Sequence, residues 1–306
     1  MLRKILLVTL LILLAACAPQ APATPAPVET TLTFTDGLGR EVTLDGPAQR
    51  IVSIAPSNTE ILFAIGAGDQ VVGRDQLSDF PEAAKNVTDI GPAFEALNTE
   101  LIVSLQPDLV LAAEINTPEQ VKQLEDLGLT VYYLKNPLTL EEMYGNLEIV
   151  AQLTGHEQEA AALIESLKAR VAAVDEKIAP LSSRPNVFYE LDATDPAKPF
   201  TAGKGTFIDQ LIDRAGGHNI ASDLEGYPQI SLEQVVAADP AFIILGDARY
   251  GVTPESIAQR PGWENLTAVK NGQVLPFNDD LVSRPGPRLV DALEELAKLM
   301  RPELFP

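Results

Sequence analysis

The segment LNTELIVSLQPDLVLA at residues 97–112 and the segment ISLEQVVAADPAFIIL at residues 230–245 share one pattern. Each has a polar residue that can cap a helix (Asn98 or Ser231) and a glutamate in the following turn (Glu100 or Glu233). A proline and an apolar run then follow at the same interval. Polar caps and acidic first turns favour helix starts, and proline ends a helix. Each copy is therefore predicted to be a short helix, a turn and a buried strand.

The distance between the two copies bears on the domain organisation. The copies begin at residues 97 and 230, and so wide a period is far too long for a solenoid. The sequence therefore predicts two similar α/β lobes, each with one glutamate at an equivalent surface position. Coincidence between two ordinary helix–strand units is the alternative. The chain length, 306 residues, also exceeds what a single core usually organises.

The flanking sequence completes the two lobes. Residues 31–44 alternate around a Gly-Leu-Gly turn and are predicted to form a hairpin. Residues 50–55 are predicted to be a strand, followed by a helix with Ser57 and Glu60 as its capping box. We place the N-terminal lobe at residues 32–138 and the C-terminal α/β lobe at residues 181–306.

A helical linker is predicted between the lobes at residues 139–180. Thr139 and Glu142 are expected to form a capping box at its start. Apolar residues then recur at helical spacing and predict one long helix over residues 157–178. At 1.5 Å per residue this helix is about 33 Å long, enough to bridge two lobes. The apolar positions are Leu163, Leu167, Val171, Val174 and Ile178.

The N-terminus is typical of a bacterial lipoprotein signal. Basic residues precede an apolar stretch at residues 5–14, and Leu-Ala-Ala leads directly into Cys17. The stretch is too short to span a bilayer. We expect residues 1–16 to be removed, Cys17 to be lipidated and the Pro/Ala-rich residues 17–31 to act as a tether. The protein is therefore predicted to be extracytoplasmic and anchored to the membrane, at a cell surface or in a periplasm.

Composition excludes several kinds of function. The formal net charge of −21 becomes −23 once Arg3 and Lys4 are lost with the signal, which argues against nucleic acid as a partner. Cys17 is the only cysteine, and His156 and His218 lack ligands at metal-binding spacing. Neither a metal site, a cofactor nor a catalytic constellation is predicted. An enzyme on the same two lobes would need a nucleophile and base that the sequence does not display.

Four motifs together resemble one family. They are RIVSIAPSNTEILFAIGAG at 50–68, KPFTAGKGTFIDQLIDRAGGHNI at 198–220, YPQISLEQVV at 227–236 and RPGPR at 284–288. In this order they resemble the periplasmic-binding proteins of ABC importers that capture vitamin B12, iron siderophores or haem. The resemblance implies two Rossmann-like α/β lobes joined by one long helix, with the ligand between the lobes. It also implies a monomer whose partners are the transmembrane subunits of the importer.

The resemblance also implies roles for individual residues. Glu100 and Glu233 are expected to dock on the importer; a favourable contact with the helix dipole is the alternative for each. Leu77 stands where the B12-binding members carry a tyrosine, and Ala113 where they carry a tryptophan. The side chains expected to line the ligand cleft are Leu77, Phe94, Phe200, Tyr227, Asp280, Leu281 and Arg284. Each of three residues has an alternative role. Phe200 is then a core residue, Tyr227 a residue at a strand end, and Arg284 a member of an ion pair at a helix start.

A corrinoid is the first expectation for the ligand. The phrases around Phe200 and Tyr227 are closest to cobalamin-binding members, and a near-neutral ligand tolerates an acidic protein. A ferric siderophore is the second expectation and haem the third, with Tyr227 as an iron ligand. An anionic siderophore would favour further arginines in the cleft, and the sequence leaves open whether Arg74, Arg249 or Arg288 joins Arg284 there. The remaining alternative to a substrate-binding function is a purely structural surface protein.

Overall fold

The predicted architecture of two α/β lobes joined by a long helix is confirmed by a computed structural model, which describes residues 31–305. The predicted signal at residues 1–16 and the tether at 17–31, with Cys17, lie outside the described residues except for Thr31. A short antiparallel hairpin, β1 (Leu32–Thr35) and β2 (Glu41–Leu44), opens the described chain as expected. No helix in residues 31–305 has the length and apolar content needed to cross a membrane.

The N-terminal lobe is a five-stranded parallel sheet with strand order β5-β4-β3-β6-β7. Helices connect its strands, as parallel pairing requires. The strands are β3 (Ile51–Ser53), β4 (Val71–Arg74), β5 (Thr88–Asp89), β6 (Leu109–Ala113) and β7 (Val131–Leu134), and the helices are α1 (Pro56–Ala64), α2 (Thr99–Ser104) and α3 (Pro118–Asp126).

The C-terminal lobe is a four-stranded parallel sheet with strand order β11-β10-β8-β9. Its strands are β8 (Asn186–Glu190), β9 (His218–Asn219), β10 (Phe242–Leu245) and β11 (Val274–Pro276). Its helices are α6 (Phe207–Arg214), α7 (Leu232–Ala238), α8 (Pro254–Ala258), α9 (Thr267–Lys270), α10 (Asp280–Ser283) and α11 (Leu289–Met300). The α-helices assigned to the region between the lobes are α4 (Leu140–Thr154) and α5 (Glu157–Ile178).

Helix α5 has the bounds that the apolar spacing predicted. Its buried face carries Leu167, Val171, Val174 and Ile178 from the predicted set, whereas Leu163 is half-buried and Ile164 takes the inner position. Helices α4 and α11 pack against it. One continuous apolar cluster runs from the N-terminal lobe through α4 and α5 into the C-terminal lobe. Motion between the lobes must therefore deform a packed core, which makes the hinge stiff.

The two repeated segments form the same structure, as predicted. Asn98 caps α2 and Ser231 caps α7, and each helix is followed by a buried strand, β6 or β10. The turn between helix and strand is also shared: Gln106 (φ 48°) and Asp239 (φ 39°) occupy the same place in the two copies and directly precede the two prolines. Within residues 31–305 they are the only residues besides glycine with positive φ. Such a conformation costs roughly 1–2 kcal/mol for an L-residue, so the matched pair supports duplication over coincidence.

Two capping predictions need correction. Ala55 is the N-cap of α1 and Pro56 starts the helix, so Ser57 lies within the first turn and makes no cap hydrogen bond. Glu60 is buried and points at the other lobe instead, so the predicted capping box of Ser57 and Glu60 is wrong. At α4, the Thr139 hydroxyl accepts from the Glu142 N–H as predicted, but the Glu142 carboxylate accepts from the N–H of Leu138.

Candidate functional site

A cavity of about 320 Å³ lies between the lobes, where the carboxyl ends of both parallel sheets meet. Loops after strands of open α/β sheets commonly form ligand sites at this edge. The N-terminal lobe contributes loops after β3, β4, β6 and β7, and the C-terminal lobe contributes loops after β10 and β11. The lining residues are Ala55, Pro56, Ser57, Leu77, Ala113, Ile115, Asn136, Arg249, Tyr250, Asp279, Asp280, Ser283, Arg284 and Pro285.

The wall from the N-terminal lobe is largely apolar and is held by buried polar groups. Leu77 and Ile115 present exposed side chains there, next to Ala113. The loop that carries Leu77 is fixed by Asp75, which accepts from the Leu77 N–H at 2.9 Å and from the Ser78 hydroxyl. Burial raises the pKa of Asp75, although these hydrogen bonds oppose the shift. Leu77 is thus presented on a loop with little freedom to move.

The wall from the C-terminal lobe carries charges that are already paired, either with one another or with Asp79 of the N-terminal lobe. Arg284 lies 2.7 Å from Asp79 and 3.3 Å from Asp280, and Arg249 forms an ion pair with the same Asp280. Burial alone would raise the pKa of Asp79, but Arg284 outweighs that effect and the pKa is lowered. The cavity therefore contains cations, yet each is balanced by protein carboxylates.

A buried ion cluster connects the lobes beside the cavity. Glu60, whose side chain is 1% exposed, accepts from Nε of Arg288 at 2.7 Å, forms a second contact with the same guanidinium and lies 3.3 Å from Arg284. Burial raises the pKa of Glu60, although both arginines oppose the shift. The Arg288 guanidinium also lies 4.0 Å from the centre of the Phe80 ring. Residues 284–288 are thereby fixed to the N-terminal lobe.

A tyrosine and an aspartate position the floor of the cavity. The buried Tyr189 hydroxyl donates to Oδ1 of Asp279 at 2.8 Å. Burial raises the pKa of Asp279, and burial together with the Asp279 charge raises the pKa of Tyr189 well above its usual value. Partial burial and the Asp279 charge also raise the pKa of Tyr227, although this residue is 61% exposed and lies outside the cavity lining. This part of the cavity thus favours neutral hydrogen-bonding groups.

Two buried acidic residues, Glu190 and Asp247, lie next to each other at the ends of β8 and β10. Arg260 donates to both oxygens of Glu190 at 2.6 and 2.9 Å, and Asp247 lies next to them with Oδ1 unpartnered. Burial and the Glu190 charge raise the pKa of Asp247 to about 7. Asp247 is the second residue of the short turn Gly246–Tyr250, which also carries Arg249. The turn therefore starts beside a buried acidic pair beneath the cavity wall.

The predicted cleft residues do not all meet at the cavity. Leu77, Asp280 and Arg284 line it, whereas Leu281 is buried and packs in the apolar core. Phe94 and Phe200 are exposed outside the lining set. Tyr227 is exposed and does not line the cavity, although its hydroxyl is close enough to Asp279 for the carboxylate to shift its pKa.

The sequence leaves the position of three further arginines open, and the structure places each of them. Arg249 joins Arg284 in the cavity, and Arg288 lies in the ion cluster beside it. Arg74 is buried at the end of β4 and pairs with Asp89 at 3.2 Å. Several lining residues were missed by the sequence-based prediction, among them Tyr250, Asp279, Ile115 and Asn136. Each follows a predicted strand by a few residues, and that position was the available signal.

Glu100 and Glu233 are exposed in the first turns of α2 and α7. Within residues 31–305 neither carboxylate forms an ion pair. Each is followed by an exposed valine at the same position of the repeat, Val103 or Val236. The two helices therefore present the same pair of side chains, one acidic and one apolar.

Known proteins share both the sequence and the fold. Residues 51–281 match the periplasmic binding protein family. An uncharacterized ABC transporter substrate-binding lipoprotein, YvrC, from Bacillus subtilis is 35% identical, with 90% of this chain and 87% of the relative covered. A cobalamin-binding protein from Halobacterium salinarum is 32% identical, with 92% and 78% covered. The structure of the periplasmic heme-binding protein RhuT from Roseiflexus sp. aligns with a TM-score of 0.74 at 29% identity, with 84% and 99% covered.

We expect Glu60→Gln to lower the free energy of unfolding by on the order of 3 kcal/mol, because buried Arg288 then lacks its counter-charge. Asp126→Asn is the matched control, since it removes one carboxylate from an exposed pair with Lys122 and should cost less than about 1 kcal/mol. Urea unfolding followed by circular dichroism measures both. Equal losses in the two variants would show that the interlobe cluster does not stabilise the fold.

Proposed function

The chain belongs to the periplasmic binding protein family and is an extracytoplasmic substrate-binding protein of an ABC importer, and from this we propose that its substrate is a corrinoid. The charge arrangement of the interlobe cavity is the observation that carries the proposal. Arg284 and Arg249 are the cations that line it, and both are paired with Asp79 or Asp280. A ligand with several carboxylates would have to displace these partners, whereas a near-neutral corrinoid leaves the pairs intact.

The polar groups of the cavity suit the amide groups at the edge of a corrin ring. Hydrogen-bond donors and acceptors are supplied by Asp279, Ser283, Asn136 and Ser57. Only Asp279 among them can carry a charge, and burial raises its pKa. The cobalamin-binding relative from Halobacterium salinarum points to the same class of ligand. The cavity volume of about 320 Å³ lies at the lower end for ligand sites, so part of a corrinoid would remain outside it.

Haem is the second candidate, because RhuT is named as a heme-binding protein. Tyr227 is the residue that would ligate its iron, through a phenolate. Tyr227 is 61% exposed and does not line the interlobe cavity, and partial burial with the Asp279 charge raises its pKa; both disfavour a phenolate ligand in the cavity. A ferric siderophore remains the other alternative; an anionic one would meet the paired arginines described above. The disfavoured Tyr227 phenolate counts against haem, and the paired arginines count against an anionic siderophore. Both therefore favour the corrinoid.

We further propose that lipid on Cys17 anchors the protein to a membrane outside the cytoplasm, at the cell surface or in a periplasm. The Bacillus subtilis relative is named a lipoprotein, and the sequence around Cys17 has the form of a lipoprotein signal. Cys17→Ser should move the protein from the membrane fraction into the soluble fraction, because acyl chains are the proposed anchor. Retention of the variant in the membrane fraction would contradict lipid anchoring.

The ligand is tested by calorimetric titration of the Cys17→Ser chain with cyanocobalamin, a ferric hydroxamate and haemin. We expect cyanocobalamin to bind at least 10-fold more tightly than the other two, a difference of about 1.4 kcal/mol. Tighter binding of haemin or of the hydroxamate would replace the corrinoid by that ligand. If none of the three binds at high micromolar concentration, the proposed ligand class is wrong.

We also propose that Glu100 and Glu233 dock on the transmembrane subunits of the importer. Both are exposed, unpaired within residues 31–305 and located at equivalent positions of the two lobes. Exposed carboxylates of this kind suit ionic contacts with basic side chains of a partner. The adjacent exposed Val103 and Val236 add an apolar contact to each patch.

Glu100→Ala combined with Glu233→Ala should weaken association with the importer about 10-fold or more, because two charge pairs are lost, while ligand affinity stays unchanged. Glu119→Ala combined with Glu255→Ala is the matched control, since it removes the same charge from the first turns of α3 and α8. Co-purification with importer in detergent or nanodiscs measures association. Equal effects of the two double variants, or a large loss of ligand affinity in the first, would overturn the assignment.

A further inference from the structure

Tyr250 is an exposed aromatic residue on the wall of the interlobe cavity. Its side chain is 79% exposed, more than any other exposed large apolar residue in residues 31–305. It is also the only aromatic side chain among the described residues that line this cavity. An aromatic ring left open to solvent inside a concave site indicates contact with a ligand.

The ring of Tyr250 is held in position by its neighbours. It ends the short turn Gly246–Tyr250 after β10, and Gly251 follows with φ 93°. The guanidinium of Arg249 lies 5.6 Å from the centre of the ring, and Arg249 is itself paired with Asp280. A cation over one face of the ring limits its rotation and leaves the other surface free. Less side-chain freedom is then lost when a ligand binds.

The other lobe supplies apolar side chains to the same cavity. Leu77 is 42% exposed and Ile115 is 44% exposed, and both line the wall opposite the C-terminal lobe. Tyr250 on one wall and Leu77 with Ile115 on the other can enclose the two faces of a flat ring system. The paired charges and Asp279 remain at the edge, where amide or other polar substituents of the ring would lie.

We propose that Tyr250 determines the specificity of the cavity for planar macrocycles by stacking on one face of the ring. This inference rests on the proposed function, since it assumes that the interlobe cavity is the ligand site. It extends that function by assigning the aromatic contact to the C-terminal lobe, whereas Leu77 and Ala113 leave the N-terminal wall without an aromatic ring. Stacking requires the ring of residue 250 and not its hydroxyl group.

The test compares Tyr250→Ala and Tyr250→Phe in calorimetric titrations of the Cys17→Ser chain with cyanocobalamin. Loss of the aromatic contact should raise the Kd about 10-fold in Tyr250→Ala, and Tyr250→Phe should stay within about 3-fold of the parent. Leu127→Ala is the matched control, because Leu127 is an exposed apolar residue at the end of α3, outside the cavity lining, and its removal should leave the Kd unchanged. The melting temperatures of the Tyr250 variants should match that of the parent, since the side chain is exposed.

Three outcomes would overturn the proposal while the parent still binds cyanocobalamin. They are an unchanged Kd in Tyr250→Ala, an equal loss in Tyr250→Ala and Tyr250→Phe, and an equal loss in Leu127→Ala. If the parent binds haemin instead, the corrinoid assignment is wrong. The same variants then test the Tyr250 proposal with haemin as the planar ligand. If the parent binds only the ferric hydroxamate, the planar-macrocycle inference is wrong although the protein still binds a metal chelate.

Discussion

The buried contact of Glu60 with Arg284 and Arg288 sets the geometry on which the cleft depends. It joins the first helix of the N-terminal lobe to the segment between α10 and α11 of the C-terminal lobe, at the side of the cavity. Removing such charges from water is costly, so the contact is stable only while all its members stay together. Because α1 also begins at the cavity with Pro56 and Ser57, any change in the separation of the lobes must disturb this cluster. The ion cluster and the continuous core through α5 thus restrain the same motion from two places.

Polar contacts also position the loops that form the cavity. Asp75 holds the Leu77 loop, the Tyr189 hydroxyl holds Asp279, and Arg260 with Glu190 lies beneath the turn that carries Tyr250. Buried hydrogen-bonded groups impose directions that apolar packing does not. The result is a cavity whose charges are satisfied within the protein, which is the property expected of a site for a ligand with little net charge. The two sheets place the loops at the cavity, and these polar contacts fix the conformation of the loops.

Local patterns in the sequence predicted most of the fold because they depend on neighbours along the chain. The caps at Asn98 and Ser231 and the apolar face of α5 need only three or four adjacent positions. The capping box of Ser57 and Glu60 failed for the same reason: the partners of Glu60 lie 224 and 228 residues away, beyond any local pattern. The site was predicted less well. Arg284 and Asp280 follow a strand end and reach the cavity, but aromatic character alone did not separate Phe94 and Phe200 from Tyr250.

The duplicated segments indicate where the two lobes have kept one structure and where they differ. Through the helix, the left-handed turn at Gln106 or Asp239 and the buried strand, the copies keep the same backbone structure in the same register. Directly after the strands they diverge: the N-terminal copy continues to Ile115, and the C-terminal copy continues to Arg249 and Tyr250. The backbone of a helix–strand unit is constrained by its own packing, whereas the residues after the strand face the cavity and are free to vary with the ligand. The same unit therefore provides a matched outer surface, with Glu100 and Glu233, and two unlike walls around the cavity, one apolar and the other charged and aromatic.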